Sequence, residues 1–552
     1  MVSLFSSLNI ASGALKVNES AISVVSHNVA NMNTEGYSKQ RVNLATRNIA
    51  GTIGDNVDAQ VRSNGGVMIA NVMRCNNDYL NNYYRSQVSD LNKYEQQLGN
   101  LGDLADIFND LECEGIDGAL SSFYDALNNL QEYPASSTAR TNFLESARTL
   151  TSVLNSKSLQ LDQLGSKALG DGETEDSLKN SQIYTRISTF NDKLEELAEV
   201  NKALQVTQTG TLTANNLLDR RDLILNDIAE YIDIRTEEYP NGSVTLYGGG
   251  IELVKGASVT GKLDIQTAKQ YCVEHPPMVY PDDWVDDEGN PRTDNAVINI
   301  VNSSGTKIIE DANSQITGGS LGGLLHSGDL SADGMNPGKA KDALNKIATE
   351  IADMFNTLNK RDGAYHINPN DTTKLAVDAA DIDKKDIFTI ADGGGTTLNA
   401  GNISVNPELL ADDGIWYIAA AYFRDTDNLD ENAVGNAQNV GNSFVDPATG
   451  DPIGSFLGTR SEKRPNLNGQ SLEDFYTGLV GKVAAGGNNA QNMVDTQQDI
   501  VDSLYAQIKS NNSVDLNEEL VDLVKYQTAY AAAAQVFNVV NNCLDTLMTL
   551  GR

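Results

Sequence analysis

Histidine, cysteine and tryptophan are scarce, with four, four and two among 552 residues. Cys75, Cys113, Cys272 and Cys543 lie far apart and form no CxxC pair, which excludes a zinc ribbon or a thioredoxin-like site. His27, His275, His326 and His366 are the whole histidine complement, so a histidine-built metal or catalytic site has little to draw on. Positive charge is also in deficit: 40 Lys and Arg face 75 Asp and Glu, a formal charge of −35. Such a chain repels phosphate backbones, and nucleic acid is not an expected partner. No sustained apolar run is present. The longest uncharged stretch of that kind, Tyr526–Leu544, contains Gln527, Gln535, Asn538, Asn541 and Asn542, so no membrane span is expected. The first twenty residues lack a basic cluster ahead of an apolar block, and a cleavable secretory signal is not expected.

Hydrophobic residues make up 40% of the chain, enough to fold, and its length predicts several domains because single cores stop growing near ~250–300 residues. The two ends are alike in kind. Leu4, Leu8, Ala11, Leu15, Ile22, Val25 and Val29 follow a 4-3 spacing on one helical stripe, with Asn18 the polar member. Leu516, Leu520, Leu523, Tyr530, Ala534, Phe537, Leu544 and Met548 do the same at the other end, interrupted by Gln527 and Asn541. Val494, Val501, Leu504 and Ile508 extend that stripe upstream until Asn511 and Asn512 break it. The faces away from the stripes are nearly uncharged: Lys16 and Glu19 are the only charges from Met1 to Thr34. A solvated coiled-coil helix laces its outer face with Lys and Glu. These ends therefore read as assembly elements that expect neighbours on several sides.

Ordering about 40 residues costs roughly 1–2 kcal/mol each in backbone freedom. About ten stripe residues return ~1.5–3 kcal/mol each, and only when fully buried. A lone end cannot bury its stripe, so both ends are predicted to be mobile in the monomer and to become helical on packing in a polymer.

Between the ends, helices are predicted over Asp78–Leu101, Ser136–Leu164, Glu173–Val206, Leu212–Tyr231 and Ala340–Lys360, resuming near Ser471. Asn241-Gly242 between Ile232–Tyr239 and Ser243–Tyr247 predicts a β-hairpin. The expected architecture is an α+β multidomain rod with both termini at one end. Its parts are a terminal coiled-coil domain (1–48 with 494–552), a helical middle domain (49–235 with 316–365 and 466–493), a β-rich insertion (236–315) and a small, exposed, β-rich outer domain (366–465).

Motifs for chemistry are thin. Gly318-Gly319-Ser320-Leu321-Gly322 matches the G-x-S-x-G elbow, but no buried strand precedes it and His326 is too near to be the usual partner. Gly248–Gly250 followed by Lys255-Gly256 has the wrong order for a phosphate loop. Acidic clusters at Asp282–Glu288, Asp378–Asp386 and Asp425–Glu431 lack the register of a calcium loop. No cofactor, metal or catalytic residue is expected.

The segment Ser26-His27-Asn28-Val29-Ala30-Asn31-Met32-Asn33-Thr34-Glu35-Gly36-Tyr37-Ser38-Lys39-Gln40 resembles the N-terminal signature of bacterial flagellar axial proteins. Asn28, Asn31, Thr34, Gly36 and Tyr37 carry the match, and Gly36 permits the left-handed turn that sends the chain off the helix axis. Val514-Asp515-Leu516-Asn517-Glu518-Glu519-Leu520 with Lys525–Ala534 resembles the matching C-terminal signature. Leu217-Leu218-Asp219-Arg220-Arg221-Asp222, Gly318–Leu325, Phe355-Asn356 and Asn402–Val405 are similar to the hook-associated, hook–filament junction members of that family. The four cysteines depart from it.

The resemblance implies a non-enzymatic structural subunit, exported unfolded by the flagellar type III apparatus and located outside the cell at the hook–filament junction. Its implied partners are copies of itself, the hook protein, the second junction protein and an export chaperone that binds the C-terminal helix. The alternatives weighed are a hook or distal-rod axial subunit and, remotely, a secreted hydrolase using Ser320.

Overall fold

Two long helices bracket the chain and pack on each other. In a computed structural model, the residues described are 2–46, 66–109, 115–276, 296–330, 333–361, 364–368, 371–375, 384–391, 395–411, 413–419, 421–422, 438–441, 444–445, 452–453 and 455–550. The first helix, α1, spans Val2–Asn31 and the last, α13, spans Leu516–Leu550. The C-terminal turn of α1 meets the N-terminal turn of α13, and the helices then run side by side, hence antiparallel. Both chain ends accordingly point the same way.

The chain leaves α1 through a turn at Gly36, whose φ is +73°. A β-carbon there would stand 2.5 Å from Leu223 Cγ, so both the backbone angle and the space require glycine. Strand β1 (Gln40–Thr46) pairs antiparallel with β2 (Val67–Arg74), with an irregularity at Asn43/Leu44. Helix α2 (Asp78–Ile107) follows, capped by the Asn77 side chain. It lies along α12 (Leu472–Asn512), which Ser471 caps.

Two cores fill the body. The first joins α3 (Ile116–Glu132), α4 (Ser137–Leu169), α10 (Pro337–Lys360) and the first half of α12 with residues 387–467. Its centre is aromatic: Phe123 lies 4.9 Å from Phe355, edge to face, and both approach Phe388. The second gathers α5 (Glu175–Lys179), α6 (Gln182–Val206) and α7 (Leu212–Ala229) against two antiparallel sheets. One is β3 (Ile234–Glu238), β4 (Val244–Gly248), β5 (Ile251–Lys255) and β6 (Ser258–Val259). The other is β7 (Lys262–Thr267), β8 (Ala296–Val301) and β9 (Lys307–Ile309), with α8 (Ala268–Glu274) between its first two strands. Helix α9 (Gly319–Leu325) closes this core, and α11 (Gln438–Gly441) touches α3. Helix α4 threads both, with Leu150 and Leu161 in the first and Ala168 and Leu169 in the second.

The α+β, multidomain character and the Asn241-Gly242 hairpin stand as predicted. The domain boundaries require correction. The division at 493/494 falls inside α12, one unbroken helix, and Val501 packs with Val88 and Leu91 of α2, so the 494–508 residues do not continue the α13 stripe. The 236–315 segment shares its core with α6 and α7 because its sheets bury Val244, Leu246, Ile298 and Ile300 against them. The 366–465 segment is not wholly exposed: Phe388, Ile403, Val405 and Phe456 complete the first core. The single helix expected over Glu173–Val206 is two, because Ser181 donates to the Leu178 carbonyl and accepts from Tyr184 N–H, starting α6 afresh.

Candidate assembly interface

The signature turn after α1 is built by a closed ring of side chains around buried Asn28 and Gln40. Tyr37 Oη donates to Asn28 Oδ1 at 2.8 Å and lies 2.9 Å from His27 Nδ1. With its proton directed to Asn28, the phenol oxygen accepts from His27, which places the imidazole proton on Nδ1. His27 Nε2 is then the acceptor for Asn216 Nδ2 at 3.5 Å, the longest link of the ring. Asn216 Oδ1 accepts from Gln40 Nε2 at 3.2 Å, and Gln40 returns to Asn28 through its backbone: N–H to Oδ1 at 3.0 Å, carbonyl from Nδ2 at 2.9 Å. Asn31 donates to the His27 carbonyl and accepts, at 3.4 Å, from Thr34. All five signature residues thus lie in one turn.

The other end of the chain enters the same site. Asn28 Nδ2 also donates to Glu519 Oε2 at 3.0 Å, across 491 positions of sequence. Lys39 Nζ contacts Glu518 at 2.6 Å and Glu519 at 3.0 Å, with Lys39 and Glu519 both buried. Lys39 N–H donates to the Asn512 carbonyl at the end of α12. Burial pulls the Lys39 ammonium down, but the two carboxylates outweigh it and hold it above its usual value. Glu518 is lowered in turn, first by its bond from Lys39. Burial beside Asp219 and Glu519 pushes the Tyr37 phenol up, so it remains a neutral donor.

Beneath the ring, α7 supplies the anchor to the body. Ser38 N–H reaches Asp219, and Arg74 bonds Asp219 at 2.7 Å and Asp222 at 2.9 Å. Asp222 also receives Arg85 at 3.2 Å and Arg221 at 2.8 Å. Burial alone would raise its carboxyl, yet the Arg221, Arg74 and Arg85 guanidinium groups bring it down to about 2. Asp219 is raised instead by burial, which Arg74 offsets only in part. Removing one partner from such a cluster strands a buried charge, at a cost of about 3–5 kcal/mol.

The stripes are displaced from their predicted positions. On α1 the buried line is Val17, Ala21, Val24 and Asn28, with Ala11 and Val25 beside it; Leu4, Leu8, Leu15, Ile22 and Val29 are half-buried at its margin. On α13 the side covered by α1 runs Glu519, Leu523, Tyr526, Ala533, Phe537, Val540 and Leu544, with Ala534 half-buried at its edge. Leu516, Leu520, Tyr530 and Met548 stand exposed. Sequence spacing missed the register because α13 carries apolar residues on several sides and no charge from Tyr526 to Leu544, so more than one 4-3 line fits it. Val521, Val524 and Val539 are 68, 62 and 61% exposed, and Val536, Leu547 and Met548 add to the open surface.

Sequence reasoning also did not single out Lys39, Gln40, Glu518 and Glu519 as site residues, or the Arg74–Arg85–Asp219–Asp222 cluster. The first four stood inside the two signatures, but nothing in the sequence says that those signatures touch.

Elsewhere, the glycine-rich motifs are packing devices. At Gly319, φ +65°, a β-carbon would fall 2.1 Å from the Tyr231 carbonyl carbon, so α9 needs glycine to approach that backbone. Ser320 is buried there, its N–H given to the Glu230 carbonyl, and among the described residues no hydrogen bond joins it to a histidine. Gly249 and Gly250 form the β4–β5 turn with positive φ, and Lys255 pairs with Glu252. Asp282–Glu288, Asp425–Glu431, residues 378–383 and Cys113 lie outside the described residues. Among the described residues there is no group of three acidic, histidine or cysteine side chains placed to hold a metal, and no helix is long and apolar enough to cross a membrane.

Comparison with known proteins follows this division of the chain. A model described as flagellar hook-associated protein FlgK helical domain matches residues 101–370. The flagella basal body rod protein model matches 8–37, and the flagellar basal body rod FlgEFG protein C-terminal model matches 510–550. Flagellar hook-associated protein 1 of Bacillus subtilis is 24% identical, over 99% of this chain and 98% of its own length. The Salmonella typhimurium protein of that name is also 24% identical, over 98% and 99%. The solved flagellar hook junction protein FlgK from Burkholderia pseudomallei shares the fold, with a TM-score of 0.53 at 14% identity over 79% of this chain and 100% of that one. The rod models cover the segments that form the ring and the open helix, and the hook-associated model covers much of the two-core body. Over nearly its whole length the chain is thus similar to flagellar hook-associated protein 1, with the rod-protein models matching its two ends.

Proposed function

We propose that the chain is a structural subunit at the junction of the flagellar hook and filament, working without catalysis. Copies pack through the α1–α13 pairs into an inner layer, continuous with the hook protein on one side and the second junction protein on the other. The observation that carries this reading is the set of apolar residues that α13 leaves exposed, Val521, Val524, Val536, Val539, Leu547 and Met548. Monomeric soluble proteins rarely leave so many large apolar side chains of one helix in water, and covering them is the expected role of neighbouring copies. The polar ring around Asn28 sets how the helix pair leaves the body, since its hydrogen-bond partners are met in one arrangement only. Export as an unfolded chain, with a chaperone over α13 beforehand, suits the same surface.

Immunogold labelling tests the placement. Label confined to the hook–filament boundary is expected; label along the hook or rod would assign the chain to another axial role.

A further inference from the structure

Helix α12 carries two features of opposite charge on different sides. Near its start, between it and α10, lies a groove of about 340 Å³ with Phe475 and Leu479 in its floor. Lys339, Lys346 and Lys482 line it, against Asp342 as the lining carboxylate, in a chain whose formal charge is −35. Lys346 bonds Asp342 at 2.7 Å, while Lys482 is exposed and enters no ion pair among the described residues. Further along, Asp495, Asp499 and Asp502 recur at i, i+4 and i+7 on one exposed face, with half-exposed Tyr505 beside them. Their bonds are to Gln491 and Gln498 of the same helix, and among the described residues none of the three pairs with a cation.

At 100° per residue, Leu479 and Lys482 face away from the centre of the aspartate line by about 130–170°, and Gly478 by about a quarter turn. Twenty residues separate Leu479 from Asp499, which at 1.5 Å each is about 30 Å along the helix. Two such faces on one molecule cannot meet each other, but they can meet on neighbouring copies displaced along the axis. A contact between unlike faces propagates instead of closing as a pair.

We propose that the lysine groove between α10 and α12 receives the Asp495–Asp499–Asp502 face of α12 from a second copy of this chain, displaced by about 30 Å. This is a lateral contact of the body, additional to the terminal helices, and it rests on the polymeric role proposed above. Charge complementarity selects the occupant: basic residues are the minority charge of the molecule, and among the described residues the facing acids pair with no cation.

The test is charge reversal with rescue, read as junctions assembled per cell. Lys346→Glu/Lys482→Glu is expected to lower assembled junctions at least tenfold while the purified chain keeps its melting temperature. Asp495→Lys/Asp499→Lys/Asp502→Lys is expected to fail likewise, and the combined variant to recover. Normal assembly by the lysine variant overturns the proposal. Loss without recovery in the combined variant also overturns it, by assigning the groove to a different acidic partner. Val539→Asp, which alters only the open face of α13, is the control: if it too assembles normally, the polymeric role itself fails, not merely the groove.

Discussion

Helices α12 and α13 are consecutive, similar in length and separated only by Ser513–Asp515, yet they use their apolar residues in opposite ways. In α12, Phe475, Leu479 and Val483 enter the first core, and Val501 and Leu504 are buried along the face that meets α2. In α13, Val540 is the buried apolar residue among those described, and valines open to solvent flank it on other faces. The difference is not composition but closure. The body supplies α12 with α2 and α10, whereas among the described residues α13 is covered mainly by α1, with Lys39 and Arg41 at its first turn. Under the proposed role, a helix that remains uncharged from Tyr526 to Leu544 and leaves its valines in water is completed by neighbouring copies.

The contrast predicts that a charge on the open face of α13 leaves the body intact and stops assembly. Val539→Asp should lower junction assembly at least tenfold, with a melting temperature within about 2 °C of the parent, because the side chain is already in water in the isolated chain. Leu523→Asp and Phe537→Asp should also block assembly while the body folds, although they additionally weaken the α1–α13 pair. Normal filaments on cells carrying all three would erase the distinction between the helices.

At the joint between the two regions the effects are smaller but measurable by denaturation. Asp222→Ala takes the carboxylate from buried Arg85, leaves Arg74 with Asp219 and Arg221 with Glu238, and is expected to destabilise the body by about 3–5 kcal/mol. Asn28→Ala leaves the Gln40 N–H, the Tyr37 hydroxyl and Glu519 without a shared partner. It should cost about 1–3 kcal/mol and free the terminal pair, read as faster proteolytic loss of both ends. If the ends remain as resistant as in the parent, the ring does not couple them to the body.

Acid sharpens the same point. The folded chain holds Asp222 at about 2, below its ordinary 3.8, so its contribution is present above about pH 4 and is lost as pH falls towards 2. Asp219, raised by burial, acts in the opposite sense, so Asp222→Asn should flatten the acid limb of stability and isolate the Asp222 part. An unchanged limb would show that the cluster is not what acid attacks. Smallest of all, Ser320→Ala should leave motility unchanged and stability within about 0.5 kcal/mol, which a hydrolase using that hydroxyl would not allow.

How much was legible follows the range of each interaction. The Asn241-Gly242 turn, the Ser136, Ser471 and Thr211 helix starts and the Gly36 exit are local, and their residues announce them. The two terminal signatures were legible as motifs, but their meeting through Asn28, Lys39 and Glu519 is a contact across nearly the whole chain. The register of α13 was illegible for a different reason: periodicity locates a buried face only when the other faces are polar. Domain edges failed where a core borrows from distant sequence, as when Phe388 and Phe456 complete the packing of Phe123 and Phe355.

Amide hydrogen exchange along α13, compared between dilute isolated chain and assembled junction, bears most directly on the unfinished-helix account. The amides from Leu523 to Leu544 should exchange within seconds in the isolated chain and become strongly protected in the assembly, while those of α12 are protected in both. Equal, strong protection of α13 in the isolated chain would contradict it.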